Sequence, residues 1–143
     1  MVPLKVLLID DEPALAEATA GLLRTTGQQV TSATTAVDGH AKACTGDFHL
    51  VFCDLMMPGM RGDDLCRSLR QRLPNLALWL VLMSAMDSAR TLADAAGCNR
   101  FLAKPFAMQH VATLVAECAQ DPAIRARLRT RGGSLRLVTP SDD

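Results

Sequence analysis

The chain has 143 residues, 49% of them hydrophobic and 21% charged, with 15 Lys and Arg balancing 15 Asp and Glu. That profile fits one soluble globular domain with a sizeable core. It excludes a disordered chain and a strongly basic nucleic-acid surface, and with no apolar run near the roughly 18 residues that span a bilayer it excludes membrane insertion. The five cysteines, Cys44, Cys53, Cys66, Cys98 and Cys118, are odd in number and scattered, so reduced thiols are expected rather than a disulfide framework or a zinc site. The amino terminus "MVPLKVLLIDDE" lacks the pattern of a signal peptide, and the expected location is the cytoplasm.

In chain order, Leu4–Ile9 is a near-continuous apolar run, as a strand buried on both faces should be, and it leads directly into Asp10, Asp11 and Glu12. Pro13–Thr25 follows as a helix, with Pro13 near its first turn and Gly27 just past its end. Gln29–Ala33 is shorter and more polar, which suits an outer strand, and Ala36–Cys44 reads as the second helix. Leu50–Cys53 and Leu76–Met83 are two further central strands, separated by a helix over Asp63–Arg72. A helix over Ser88–Ala96, a brief outer strand over Arg100–Ala103 and a helix over Phe106–Ala119 complete the alternation; in the last, Val111, Leu114, Val115 and Cys118 form one apolar stripe. Five β-α units in succession predict an α/β domain over residues 1–120 with a doubly wound parallel sheet, and in the doubly wound strand order 2-1-3-4-5 the first and third strands would be neighbours.

The segment 121–143 breaks the pattern. Asp121-Pro122 can start a short helix, Arg125, Arg127, Arg129 and Arg131 give a local basic excess, and Gly132-Gly133 is expected to end it before a mobile terminus. Arginines at alternate positions spread around a helix rather than forming one stripe, so a solvated extension or linker is expected and direct nucleic-acid contact is not.

Open parallel sheets collect functional groups at the carboxyl ends of their strands. Here those ends read Asp10-Asp11, Asp54, Ser84 and Lys104. If the first and third strands are neighbours, Asp10, Asp11 and Asp54 share one cleft, where three unpartnered carboxylates would raise one another's pKa unless protons are shared or a cation sits among them. A hard divalent ion such as Mg2+ is the economical partner for such oxygens. Taken alone, "DDE" before Pro13 reads better as an acidic helix amino terminus. The metal reading gains from Asp54, Ser84 and Lys104, each of which also ends an apolar strand. By themselves Ser84 reads equally as a hydroxyl bonding local backbone and Lys104 as a surface lysine.

The ordered set "LLIDDEP", "LVFCDLMMPGMRG", "LVLMSA" and "FLAKPF" resembles the receiver domain of two-component response regulators over about residues 4–120. The resemblance implies a flavodoxin-like fold and a phosphorylation-activated switch rather than an enzyme, with at most weak self-phosphorylation and autodephosphorylation. It implies Asp54 as the acceptor of a phosphoryl group from a histidine kinase or phosphotransfer protein. Mg2+ (or Mn2+) would be held by Asp10, Asp11, Asp54 and the backbone carbonyl of Met56. Ser84 and Lys104 would bind the phosphoryl group, Phe101 would stand where an aromatic side chain changes rotamer, and Lys104-Pro105 would be cis. A downstream output domain or effector would read the surface of the fourth helix, fifth strand and fifth helix, and a homodimer could use it too. Two positions depart from familiar members: Met56 replaces a polar group and Arg61 an acid. Phe101 lacks a hydroxyl and is nearly as well read as core. Trp79, Met83, Met86, His40, His49 and His110 are assigned to packing or surface.

Three other readings share parts of this pattern. A haloacid-dehalogenase-like, Mg2+-dependent phosphohydrolase would need an acid two residues after its nucleophile, where Met56 stands. A flavodoxin-type cofactor binder would find "DDEPA" where a phosphate loop belongs. A phosphorylation-independent pseudo-receiver acting as a docking module would have no need of the complete set of acids, hydroxyl and lysine.

Overall fold

The computed structural model describes residues 2–137, with side chains through residue 130. Its elements are β1 (Lys5–Ile9), α1 (Pro13–Thr25), β2 (Gln29–Ala33), α2 (Ala36–Ala43), β3 (Leu50–Asp54), α3 (Gly62–Arg72), β4 (Trp79–Ser84), α4 (Ala89–Ala95), β5 (Arg100–Ala103), α5 (Met108–Gln120) and α6 (Pro122–Leu137). The five strands are parallel and ordered β2-β1-β3-β4-β5. The flavodoxin-like architecture is therefore present.

The central strands are apolar throughout because both faces of the sheet are covered. Leu4, Val6, Leu8, Leu50, Phe52, Val81 and Met83 pack against Ala16, Ala20 and Leu23 of α1 and Val111, Leu114, Val115 and Cys118 of α5. Alternate residues of the same strands, Leu7, Ile9, Val51, Cys53 and Leu80, meet Leu65, Cys66 and Leu69 of α3 on the other face. A smaller cluster of Leu55, Leu82, Ala89 and Ala93 lies under α4, with half-buried Phe101 against it.

Strand register decides what stands at the carboxyl edge. Ile9 pairs with Cys53, Asp54 with Met83, and Ser84 with Ala103. Asp10, Asp54, Ser84 and Lys104 are thereby brought to one edge of the sheet by consecutive ladders.

Three boundaries differ from the sequence reading by more than one residue. β4 begins at Trp79, not Leu76, because β3 offers its first partner there: Leu50 pairs with Trp79, and the Trp79 amide donates to His49 O at 2.9 Å. Leu78 is still buried in the loop before the strand, which is why the apolar run is longer than the ladder. α5 begins at Met108 rather than Phe106, whose side chain packs against the core from the preceding loop. α6 runs through Gly132 and Gly133 to Leu137; glycine disfavours a helix interior by about 1 kcal/mol but does not forbid it. The expected mobile end over 138–143 lies outside the described residues.

α6 is also packed rather than solvated at its start. Ile124 is fully buried, and Asp121 accepts a hydrogen bond from Trp79 Nε1 at 2.6 Å. The Arg127 guanidinium donates to the carbonyls of Gly46, Phe48 and Ala77 at 3.1, 2.9 and 2.6 Å, satisfying backbone groups of the loops that enter β3 and β4. Ile124→Ala should therefore lower unfolding free energy by about 2–4 kcal/mol in urea titration, whereas a solvated tail would tolerate the change within about 0.5 kcal/mol.

Candidate functional site

At the carboxyl edge, Asp10 directly follows β1 and is 1% exposed, Asp54 is the last residue of β3, and half-buried Asp11 lies beside them. Carboxylate oxygens of the three lie within 4.8 Å of one another. Lys104, immediately after β5, places Nζ 3.1 Å from Asp54 Oδ1 and 3.6 Å from Asp10 Oδ2. Lys104 is thus a site residue and not a solvated one. Asp10 is held from the other side, its Oδ1 accepting the Glu12 amide at 3.0 Å.

Three carboxylates and one ammonium leave a formal charge of −2 when all are ionised. Burial is the largest influence on Asp54 and raises its pKa; the hydrogen bond and charge of Lys104 pull it back, while Asp10 and Asp11 push it up further. The net effect is a carboxyl held above its ordinary value of 3.8. An all-oxygen donor set with an excess charge of −2 fits a hard divalent cation, which would offset that charge without extra protons.

Ser84 ends β4 and is 4% exposed. Its Oγ accepts the Met86 amide at 3.0 Å, and its carbonyl accepts the Lys104 amide at 2.9 Å. Local backbone bonding and a place at the edge therefore coexist: the turn uses a lone pair, while the hydroxyl hydrogen remains a donor. The Lys104-Pro105 peptide is cis.

The loop from Leu55 to Arg61 folds closely over Asp54. Gly62 donates its amide to Leu55 O at 2.7 Å, and a Cβ at Gly62 would fall 2.1 Å from Asp54 O and 2.8 Å from Asp54 C. Only a residue without a side chain fits there, so Gly62 positions the backbone of Asp54. The sequence reading passed over it, because a glycine in a Pro-Gly-containing loop reads simply as a turn. Met56 turns its side chain to solvent, at 60% exposure. Arg61 is held by Asp63 through a fork of 3.0 and 3.1 Å. Burial alone would raise the Asp63 pKa, but the Arg61 hydrogen bonds and charge, with the amides of Asp64 and Asp63, bring it below the ordinary value.

Phe101 is half-buried on β5, and the Arg90 guanidinium of α4 lies over its ring at 4.9 Å. That cation–π contact was also missed, since nothing in sequence spacing links an exposed helix residue to the next strand. His40 bonds Ser68 Oγ at 2.8 Å and Trp79 bonds Asp121, both away from the acidic edge.

Residues 6–116 match the family described as response regulator receiver domain. Sensory transduction protein RegX3 of Mycobacterium bovis is 33% identical over 130 residues, which cover 90% of this chain and 52% of RegX3. Transcriptional regulatory protein CusR of Escherichia coli is 31% identical over 106 residues, covering 73% of this chain and 46% of CusR. The chain thus spans about half the length of these relatives. Among solved structures, a CheY-like response regulator receiver domain protein of Methanospirillum hungatei superposes with a TM-score of 0.74 at 23% identity, over 81% of this chain and 93% of that one.

Two outcomes test the site. Since the Asp54 pKa is raised, the native state prefers the protonated form: the stability this contributes is complete below 3.8 and is lost as pH rises through the raised value. Asp54→Asn, which keeps an acceptor for Lys104, should unfold at higher temperature than wild type at pH 7, the difference closing toward pH 3.8. Gly62→Ala should cost about 1–3 kcal/mol by chemical denaturation, because backbone rather than a flexible side chain must move.

Proposed function

Because the chain belongs to the response regulator receiver domain family, we propose that it is the phosphorylation switch of a two-component system, with Asp54 as phosphoacceptor. The observation that carries this reading is the Lys104 ammonium standing between Asp54 and Asp10 beside Asp11, at one sheet edge.

Asp10, Asp11 and Asp54, with the Met56 carbonyl, are the residues that would hold Mg2+ or Mn2+. When bound, such an ion supplies charge that offsets repulsion between an anionic nucleophile and an anionic phosphoryl group. The work of the chain itself is positioning. Asp54 is fixed by the β3–β4 ladder and by the Gly62 contact, with Lys104 on its Oδ1. A carboxylate oxygen of Asp54 attacks the phosphorus of a phosphohistidine on a histidine kinase or phosphotransfer protein. The new P–O bond forms as the P–N bond breaks, and the imidazole leaves with the electron pair. Lys104 then holds the phosphoryl oxygens in a charge-assisted contact, and the Ser84 hydroxyl donates to them.

No residue two positions after Asp54 can act as a general acid, since Met56 has no proton to give. A single stoichiometric phosphorylation is therefore expected rather than multiple turnover, with at most weak self-phosphorylation and autodephosphorylation.

Readout requires a second conformation. Carrying an equilibrium from 1:99 to 99:1 takes about 5.5 kcal/mol of differential interaction, within reach of two or three charge-assisted contacts. The Ser84 amide–hydroxyl turn leads into α4, and α4 reaches Phe101 on β5 through Arg90, so the surface of α4, β5 and α5 is where a phosphate at Asp54 is felt. An output domain, an effector or a second copy would read that surface. Among the described residues no helix is long and apolar enough to cross a membrane, and a cytoplasmic switch suits a partner kinase that uses ATP.

Intact mass after incubation with acetyl phosphate and Mg2+ tests the assignment. Wild type should gain one phosphoryl adduct per chain, lost when EDTA replaces the metal, and Asp54→Asn should gain none. An adduct of equal yield on Asp54→Asn would remove Asp54 from the role.

A further inference from the structure

A groove of about 730 Å3 lies on the opposite side of the molecule's chemistry, where α6 leans away from α5 beside the start of β1. Its existence follows from how α6 is docked. Ile124 and Arg127 face the body and fix the helix, as described above, so Arg125, Leu128 and Arg129, one to four residues away around the helix, face the gap. The facing wall is α5, with Ala112, Ala116 and Ala119, and Leu4 closes one end. The surface inside is mainly apolar, and its polar neighbours are already engaged: Gln28 Oε1 accepts the Leu4 amide at 2.7 Å, and Gln28 Nε2 donates to Thr26 O at 2.7 Å.

The two arginines on the rim are different. Both are exposed, they lie one helical turn apart on the same face, and neither pairs with a carboxylate among the described residues. Arg24, Arg61, Arg67 and Arg100 each have an acidic partner, Arg70 and Arg127 bond backbone carbonyls, and Arg90 lies over Phe101. A gap of this size is in the range of small-molecule sites, roughly 300–1,000 Å3, and an apolar interior with a few charged groups at one end is their usual construction.

We propose that this groove binds a soluble amphipathic anion, a molecule with an apolar body lodged between α5 and α6 and a carboxylate head on Arg125 and Arg129. Charge complementarity selects the anion, since two neighbouring guanidinium groups disfavour a cationic head and offer an uncharged one little. The apolar walls select a body that prefers to leave water. Because the groove is formed by α6 and lies apart from Asp54, this site does not depend on the phosphoacceptor assignment.

Decanoate below its critical micelle concentration is a suitable probe, with decanol and decyltrimethylammonium as comparators, followed by isothermal titration and by chemical shifts of backbone amides. Decanoate should bind saturably and shift resonances of residues 112–119 and 125–129 while leaving Asp10, Asp11 and Asp54 unmoved. Arg125→Gln/Arg129→Gln, both solvent-exposed changes, should weaken decanoate about tenfold and leave decanol unchanged. Ala116→Trp, filling the gap from an exposed α5 position, should abolish binding while acetyl phosphate labelling of Asp54 persists. Equal affinity of the double variant and wild type, or of decanol and decanoate, would overturn the proposal. So would co-sedimentation with phosphatidylglycerol vesicles without binding of monomeric decanoate, which would make the arginines a lipid-surface contact, or a dimer that buries the groove.

Discussion

The ammonium of Lys104, largely withdrawn from water and set between Asp54 and Asp10, is the constraint around which the rest of the edge is arranged. Without it, three carboxylates within 4.8 Å would face one another with no other cation in hydrogen-bond reach among the described residues. With it, repulsion is reduced but not removed, and the remaining −2 is a standing demand for a divalent ion or a proton. The raised pKa of Asp54 is the thermodynamic form of that demand. Any further anion brought to this edge would have to be met by the same lysine.

Such an arrangement requires a rigid base, and the sheet supplies it. Asp54 and Ser84 end their strands, Asp10 and Lys104 directly follow theirs, neighbouring ladders fix each to within one step, and both faces are sealed by helices. What leaves the edge is the turn after Ser84, α4 with its small buried cluster, and Phe101 under Arg90. The opposite edge is tied down differently. There Arg127 gathers three backbone carbonyls and Trp79 reaches Asp121, so α6 belongs to the body of the domain although it follows the five-unit repeat.

Reading the sequence worked best where a residue's role depends on its own strand. Five apolar runs alternating with helical stripes, and polar residues at four of their ends, were enough for the parallel sheet and the residues at its carboxyl edge, while the strand order came with the family resemblance. Reading failed where the partner is remote. Gly62 looked like any loop glycine, because its constraint is the carbonyl of Asp54 and not its neighbours in the chain. Arg127 looked like one of four scattered arginines, because the carbonyls it satisfies lie 50, 79 and 81 positions earlier. Leu76 looked like a strand residue because apolar character reports contact with the core, and half-buried Leu76 packs against that core without joining the ladder.

The amino-acid sequence by itself determined the alternation of elements, the burial of both faces of the central strands and the chemical identity of the groups placed at the sheet edge, since periodicity and strand-end position are local properties of the chain. Only the tertiary structure decided that Lys104 touches both Asp10 and Asp54, that Gly62 presses against the backbone of Asp54, and that α6 docks instead of trailing into solvent. Those are distances between residues dozens of positions apart, set by ladder register and packing of whole elements, and no local pattern encodes them.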